Sequence, residues 1–173
     1  GITFEAGSQL TSIGNSAFRS LREGGEYQII IPASVISIGE YTFSDTGPLD
    51  CRLESGSQLT TMGKYAFHKN STRSFQIPIG VTRIEEYTFQ QCGFLRHPSF
   101  AANSQVTYIG NYAFYFSAIR SITFPASVTA FGQYVIWKCQ FLTSLNFAMT
   151  DSQLTVIGDN AFRQENNHSQ VTK

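Results

Sequence analysis

Apolar residues return along this chain at regular intervals, in a nine-residue phrase that opens with Leu or Val and closes with Ala-Phe, Thr-Phe or Val-Ile. The phrase starts at residues 10, 35, 59, 81, 106, 128 and 154, so six steps span 144 residues and average 24. A fixed period in this range is the mark of a solenoid, in which each unit buries its apolar side only against its neighbours. The pattern therefore predicts seven stacked units of about 24 residues each.

Three positions of the phrase are apolar in every copy, and we expect them to stack into three columns of one continuous core. The columns are Leu10, Val35, Leu59, Val81, Val106, Val128 and Leu154; Ile13, Ile38, Met62, Ile84, Ile109, Phe131 and Ile157; Phe18, Phe43, Phe67, Phe89, Phe114, Ile136 and Phe162. A glycine follows the second column in six units, which indicates either a positive φ or a close backbone approach. In unit four Glu85 takes its place.

A short segment before each phrase alternates apolar, polar and apolar residues, which is typical of a half-buried strand. The predicted strands are 2–4, 29–31, 51–53, 75–77, 98–100, 122–124 and 145–147. The connection from this strand to the phrase alternates in type. Odd units use GSQL-like stretches at 7–10, 56–59, 103–106 and 151–154, whereas even units use proline stretches at 31–35, 77–81 and 124–128. The sequence thus repeats in pairs of 46 to 49 residues, and one edge should alternate between tight proline turns and longer polar loops.

The unit LxxIxFPxxVxxIGxxAFxxC, seen best at 119–139 and 142–162, resembles the BspA-like (Treponema-type) leucine-rich repeat. That family occurs in surface proteins of bacteria and of some protozoa. The resemblance implies a right-handed, β-rich leucine-rich-repeat solenoid over residues 1–163, leaving 164–173 as a polar tail that we predict to be disordered. It also implies an extracellular or cell-surface location.

The cysteine that usually follows AFxx in that family survives as Cys92 and Cys139, while Cys51 lies in a predicted strand. Two rungs of a parallel stack would separate Cys92 from Cys139 by roughly 10 Å, beyond the reach of a disulfide. We therefore predict buried free thiols. The sequons at Asn70 and Asn167 leave glycosylation open.

Charge and chemistry exclude several function classes. Twelve basic and twelve acidic residues give no net charge and form no block, which argues against nucleic-acid binding. The longest apolar runs are far shorter than the roughly 20 residues that cross a bilayer, so no membrane insertion is predicted. The chain starts at Gly1 inside a strand-like stretch, and we interpret it as a piece of a longer protein. No nucleophile, metal-binding or nucleotide-binding motif is present, so we predict no enzyme activity, catalytic residue, metal or cofactor.

By resemblance to leucine-rich repeats, the outward residues of the predicted strands line a concave sheet that serves as the binding face. The candidate contacts are Gln28, Ile30, Asp50, Arg52, Gln76, His97 and Asn146. The alternative is that they form an ordinary solvated face.

A second regular column holds tyrosine in five consecutive units and Ser16 and Asn160 at its ends. Its members are Tyr41, Tyr65, Tyr87, Tyr112 and Tyr134. Such a column is either an aromatic ladder that supports the solenoid or an adhesive surface. Trp137 is predicted to pack over the gap left where Ile136 replaces phenylalanine.

These patterns favour a non-enzymatic recognition or adhesion module that binds a protein or glycoconjugate partner. The alternatives are a structural spacer in a larger surface protein and an intracellular scaffold or effector module. The apolar ends of the solenoid are expected either to continue into further repeats or to associate between copies.

Overall fold

The computed structural model describes residues 2–21, 27–47, 49–148 and 153–164, and shows a parallel β-solenoid without helices in those residues. Each unit places one short strand at a corner, and six units also place a strand on one broad side. The corner strands are β1 (Ser12–Ile13), β3 (Ser37–Ile38), β5 (Thr61–Met62), β7 (Arg83–Ile84), β9 (Tyr108–Ile109), β11 (Ala130–Phe131) and β13 (Val156–Ile157). The face strands are β2 (Tyr27–Ile31), β4 (Leu49–Leu53), β6 (Gln76–Ile77), β8 (Ser99–Phe100), β10 (Ser121–Phe124) and β12 (Ser144–Phe147). We call the side that carries the face strands the strand face.

The three predicted apolar columns form the core. Their members are buried in units two to six, and those at either end are only partly covered, except for the buried Ile13 at the start and the exposed Ile157 at the end. The phenylalanine column stacks ring on ring, with centroids 5.2 to 5.4 Å apart from Phe18 to Phe114. Each unit thus covers the apolar side of the next, as the repeat predicted.

A six-residue turn follows every corner strand in units one to six, and we call this part of the solenoid the turn side. Alternate N–H groups of the turn donate to carbonyls of the next unit. At the junction of units three and four, the N–H groups of Tyr65, Phe67 and Lys69 donate to the next unit's turn at 3.3, 2.9 and 2.8 Å. The same three bonds occur at each of the first five junctions, and two of them at the sixth. The turn side is therefore hydrogen-bonded without interruption through all seven units.

The strand face, in contrast, is interrupted at every second junction. The face strands pair only as β2 with β4, β6 with β8 and β10 with β12. The reason is the residue that follows each strand. In odd units the N–H groups of Glu54, Ala101 and Ala148 each donate at 2.9 Å to the preceding unit. In even units this position is proline, which has no N–H to donate.

The predicted strand at 2–4 is wrong for the same reason: this segment is not a strand, and Pro32 stands where the next unit would donate to it. The predicted alternation of the edge is confirmed. Pro32, Pro78 and Pro125 enter the even corners, whereas Gly7 and Gly56 enter odd ones with φ of 73° and 79°.

The glycine after the corner strand is required by close packing in units two, three, five, six and seven, whereas Gly14 in unit one has open space beside it. A Cβ on Gly63, Gly110 or Gly158 would lie 2.6 to 2.7 Å from backbone atoms of the preceding unit. None of these glycines has a positive φ, so the close approach decides between the two expectations. At Glu85 the Cβ is present, and the corner sheet breaks there into β1-β3-β5 and β7-β9-β11-β13. The junction between units three and four consequently lacks both strand pairings.

Candidate recognition surface

The candidate contact residues all lie on the strand face, at its surface. Ile30, Arg52, Gln76 and Asn146 are exposed, as are Gln28 and His97, while Asp50 is half-buried. Ile30 lies opposite Arg52 in the β2–β4 pair, next to Gln28 opposite Asp50. The other three belong to units four, five and seven. The structure therefore brings four of the candidates together and spreads the rest along a strip.

Local hydrogen bonds hold several of these side chains in place. The Arg52 guanidinium donates to the Asp50 carboxylate at 2.9 Å, and the Asn146 amide donates to Ser144 at 2.9 Å. The Nδ1 atom of His97 lies 2.8 Å from the Ser121 hydroxyl. Because Arg52 is exposed and Asp50 is only partly buried, the pair stabilises the fold little, and the Arg52 guanidinium remains accessible to a partner.

Three clefts open on the strand face at the junctions where the strands do not pair. The first, of about 320 Å³, lies between units one and two and is lined by Phe4, Ile30 and Pro32 among others. The second, of about 390 Å³, lies between units three and four beside Leu53 and Pro78. The third, of about 380 Å³, lies between units five and six. Sequence reasoning missed these clefts, although the proline at every second corner was the signal.

The tyrosine column forms a ladder of parallel rings. Centroids of successive rings from Tyr41 to Tyr134 lie 4.5 to 5.2 Å apart with interplanar angles of 4° to 16°. Arg19 covers the first ring with its guanidinium 4.9 Å from the centroid, and Trp137 packs against the last at 4.9 Å. Both faces of each inner ring are thus occupied by neighbours. A sugar that stacks on an aromatic face finds no free face there, so this geometry supports the structural alternative.

Every tyrosine of the ladder has a left-handed backbone, which the sequence did not reveal. The φ angles of Tyr41, Tyr65, Tyr87, Tyr112 and Tyr134 are 55° to 60°, and those of Ser16 and Asn160 in the same slot are 57° and 56°. Bulky residues rarely adopt this conformation, whereas asparagine tolerates it. Asn160 in the slot was the signal that sequence reasoning passed over. Burial raises the pKa of the Tyr65 and Tyr112 phenols, and neighbouring tyrosines add to the effect.

Trp137 does not fill the gap left by Ile136, contrary to expectation. Its ring packs on Tyr134 and on Tyr115, whose centroid is 5.2 Å away, while Ile136 itself is fully buried. Phe124, Phe131 and Phe162 cluster around this end of the core with centroids 4.8 to 6.4 Å apart. Phe124 and Phe131, which lie outside the phenylalanine column, therefore fill the core beside Phe162, next to the point where Ile136 interrupts that column.

In units three to six, the position that follows the turn provides a buried donor to a core carbonyl of the preceding unit. The Cys92 thiol donates to the Phe67 carbonyl at 3.0 Å, the Cys139 thiol to Phe114 at 3.1 Å, and Ser117 to Phe89 at 2.6 Å. The prediction of buried free thiols is confirmed. Burial raises the pKa of the Cys139 thiol to about 12 and that of Cys92 still further, so neither is a nucleophile at neutral pH.

Asn70 occupies this same donor slot. Its amide nitrogen donates to the Phe43 carbonyl at 3.3 Å and to the Thr46 hydroxyl at 2.8 Å, and its side chain is buried. A glycan on that nitrogen is incompatible with this fold. Asn167 and the rest of the predicted tail from 165 onward lie outside the described residues, whereas Gln164 donates to the Ile136 carbonyl at 3.1 Å.

The described part of the chain contains no cluster of three or more His, Cys, Asp or Glu side chains arranged to hold a metal ion. Within the same residues, no helix has the length and apolar character needed to cross a membrane.

Comparison with known sequences and structures agrees with this architecture. The sequence profile of the "BspA type Leucine rich repeat region" matches residues 11–143 and 60–172, in six copies. The chain belongs to this family. No curated protein matches the sequence.

Solved structures of three bacterial proteins share the fold of this BspA-type repeat chain. A leucine-rich repeat protein of T. pallidum (TpLRR) is 22% identical with a TM-score of 0.72, over 91% of this chain and 72% of its own. A leucine-rich cell surface protein of Faecalibacterium prausnitzii is 22% identical with a TM-score of 0.59, over 83% of this chain and 43% of its own. The pneumococcal vaccine antigen PcpA is 18% identical with a TM-score of 0.54, over 93% of this chain and 42% of its own. The chain thus spans less than half of the last two proteins.

Proposed function

We propose that this chain is a non-enzymatic recognition module of a surface-exposed protein, and that it binds a protein or glycoconjugate partner through the strand face. The observation that carries this proposal is the variety of exposed side chains on that face. Ile30, Arg52 and Gln76 occupy equivalent positions on successive strands, and His97 lies two residues before the equivalent Ser99. These exposed side chains differ in size, charge and polarity, and together they offer a partner apolar, charged and hydrogen-bonding contacts.

The energetic separation of this face from the core also supports binding. The candidate side chains contribute to no core column, and the hydrogen bonds between units run without interruption along the turn side. Residues of the strand face are thus free to differ without loss of the fold, as binding surfaces on repeat scaffolds do. The F. prausnitzii protein is described as a cell surface protein, which supports the proposed location outside the cell.

The test compares two triple variants for adhesion. Beads that carry the chain would be applied to cultured epithelial cells and to surfaces coated with extracellular-matrix proteins. We expect Arg52→Ala, Gln76→Ala and His97→Ala together to lower adhesion at least tenfold without changing the melting temperature. The matched control carries alanine at Gln133, Gln140 and Arg163, which are exposed but lie away from the strand face. It should adhere as the unchanged chain does.

The spacer alternative makes the opposite prediction. A spacer segment would show the same adhesion, or the same lack of it, for the unchanged chain and both triple variants. Equal behaviour of the three proteins on every surface would therefore contradict the recognition proposal.

The end of the solenoid supports a second, separate proposal of self-association. Val156 and Ile157 of β13 are 53% and 56% exposed, whereas Ile109 in the interior slot of Ile157 is fully buried. Apolar side chains beside an open strand edge favour association. Light scattering over a concentration series should show larger species for the unchanged chain and a monomer for Ile157→Glu. A monomer near 19.2 kDa in both cases would contradict it.

A further inference from the structure

The three clefts of the strand face share one cause. Each opens where an odd unit is followed by an even unit that carries proline after its strand, so the Phe4, Leu53 and Phe100 carbonyls cannot receive the bond that closes the other junctions. Pro32, Pro78 and Pro125 line the three clefts. The clefts are therefore a built-in feature that recurs with the two-unit repeat of the sequence.

Their spacing follows from the same repeat. Ring centroids of successive units lie 4.5 to 5.4 Å apart in the phenylalanine and tyrosine columns, so equivalent points of successive clefts, two units apart, lie about 10 Å apart along the solenoid. A ligand that fills all three must present matching groups at this interval, on one side and in a line.

A polyproline II chain has this repeat. It has three residues per turn and rises 3.1 Å per residue, so every third side chain lies on one side at intervals of about 9 Å. An extended β-strand repeats its sides every two residues, about 7 Å apart, and falls out of step with the clefts. The backbone N–H groups of a polyproline II chain make no internal hydrogen bonds and remain available to the uncovered carbonyls.

Each cleft has apolar residues in its wall, which can pack against an apolar side chain of a ligand, and an uncovered carbonyl, which can accept a hydrogen bond from the backbone of the ligand. Ile30 and Ile79 are 51% and 50% exposed at the first and second clefts, and Phe100 and Pro125 line the third. Glu5 and Glu54 line the first cleft, which favours a basic group at that end of the ligand, whereas Arg52 and Glu54 balance each other at the second cleft. We infer that the strand face binds an extended polyproline II segment of a partner protein that carries an apolar residue at every third position.

This inference rests on the proposed recognition function and specifies the partner of the same face. The probe is an 11-residue peptide of three Pro-Pro-Val repeats with a lysine at each end, compared with a peptide of equal composition in which the valines lack the three-residue period. Titration calorimetry should show that the periodic peptide binds at least tenfold more tightly.

Two aspartate variants locate the binding. Ile79→Asp, in the second cleft, should weaken binding of the periodic peptide at least tenfold. Ile36→Asp serves as the matched control, because Ile36 is similarly exposed, at 43%, but lies next to corner strand β3. It should leave the affinity unchanged, and both variants should melt as the unchanged chain does.

Three outcomes would overturn the inference: no binding of the periodic peptide, equal binding of the two peptides, or an equal effect of the two aspartate variants. Each is distinguishable from failure of the recognition function. If the strand-face triple variant loses adhesion while the periodic peptide does not bind, the face recognises another kind of ligand, such as a glycan. If the peptide binds as expected but the triple variant adheres as well as the unchanged chain, another part of the molecule attaches the chain to surfaces.

Discussion

The turn side and the strand face of this solenoid are built from the same seven units but differ in continuity. On the turn side, backbone hydrogen bonds join every pair of adjacent units, and stacked phenylalanine and tyrosine rings run beside them. On the strand face, half of the junctions lack strand pairing because proline follows the strand. The difference indicates that the turn side provides the continuity of the solenoid and leaves the strand face free for the proposed recognition.

The junction between units three and four shows how far the two sides are independent. It has neither face-strand nor corner-strand pairing, yet the Tyr65 and Tyr87 rings stack at 4.5 Å and Lys64 forms an ion pair with Glu86 at 3.0 Å. The turn side and the buried core therefore hold this junction together without strand pairing, and two hydrogen bonds, from Cys51 to Thr72 and from Arg73 to Asp50, add to them.

The largest expected loss of unfolding free energy comes from a substitution in the buried phenylalanine column of the turn side. Phe89→Ala leaves a cavity between the Phe67 and Phe114 rings, and we expect a loss of about 3–5 kcal/mol in the free energy of unfolding. Chemical denaturation measures it. The matched control is Phe18→Ala in the partly exposed end position of the same column, which should cost clearly less. Equal losses would show that stacking position does not matter.

A substitution in the half-buried tyrosine ladder should cost less unfolding free energy. Tyr87→Ala removes two stacked contacts, worth about 0.5–1.5 kcal/mol each, but keeps a Cβ in the left-handed conformation. We expect a loss of about 2 kcal/mol in unfolding free energy. Tyr87→Asn should lose less, because asparagine tolerates the left-handed φ of 60°. A greater loss for asparagine than for alanine would contradict the proposed role of backbone strain.

A backbone change on the strand face should alter the free energy of unfolding less than either ring substitution. Pro78→Ala supplies an N–H for the Leu53 carbonyl, worth about 1 kcal/mol, but also makes the unfolded chain more flexible at a similar cost. We expect the free energy of unfolding to change by less than about 1 kcal/mol. The amide of residue 78 should exchange slowly, because the second cleft closes. Rapid exchange of that amide would show that something other than proline keeps the cleft open.

The smallest expected effect is a pH dependence of stability that arises from a histidine at the edge of the tyrosine ladder. Burial lowers the pKa of His68, whose ring packs edge-on against Tyr65. The folded state disfavours the protonated form, so stability is fully present above the ordinary histidine pKa of about 6.5 and falls as pH drops below it. Between pH 7 and pH 5, the unchanged chain should lose more unfolding free energy than His68→Gln does. Identical pH profiles would contradict this.

Much of the architecture was predictable from the repeat. The three core columns, the seven units, the alternating corners and the buried free thiols follow from spacing alone, because burial against identical neighbours forces equivalent residues to equivalent places. The strand at 2–4 was mispredicted. Its residues alternate as those of a strand do, but the segment that would pair with it, β2, is followed by Pro32, which has no N–H to donate. Strand pairing depends on the donors of the next unit, which a pattern within one unit does not contain.

The recognition surface was less predictable. The outward positions of Arg52, Gln76 and His97 follow from alternation, but the clefts between units arise only when two units are stacked. The left-handed tyrosines were also missed, because propensity argues against them and only packing between rings favours them. In both cases the decisive interaction joins residues more than 20 positions apart.

Residue-resolved amide hydrogen exchange would test most directly whether the turn side carries the stability of the solenoid. At the junction of units three and four, the amides of Phe67 and Lys69 should exchange as slowly as their equivalents Phe89 and Gln91 at the next junction, where the strands do pair. The amide of Leu53, on the open side of the same junction, should exchange much faster. If Phe67 and Lys69 exchanged as fast as Leu53, the strands would be the element that holds the units together.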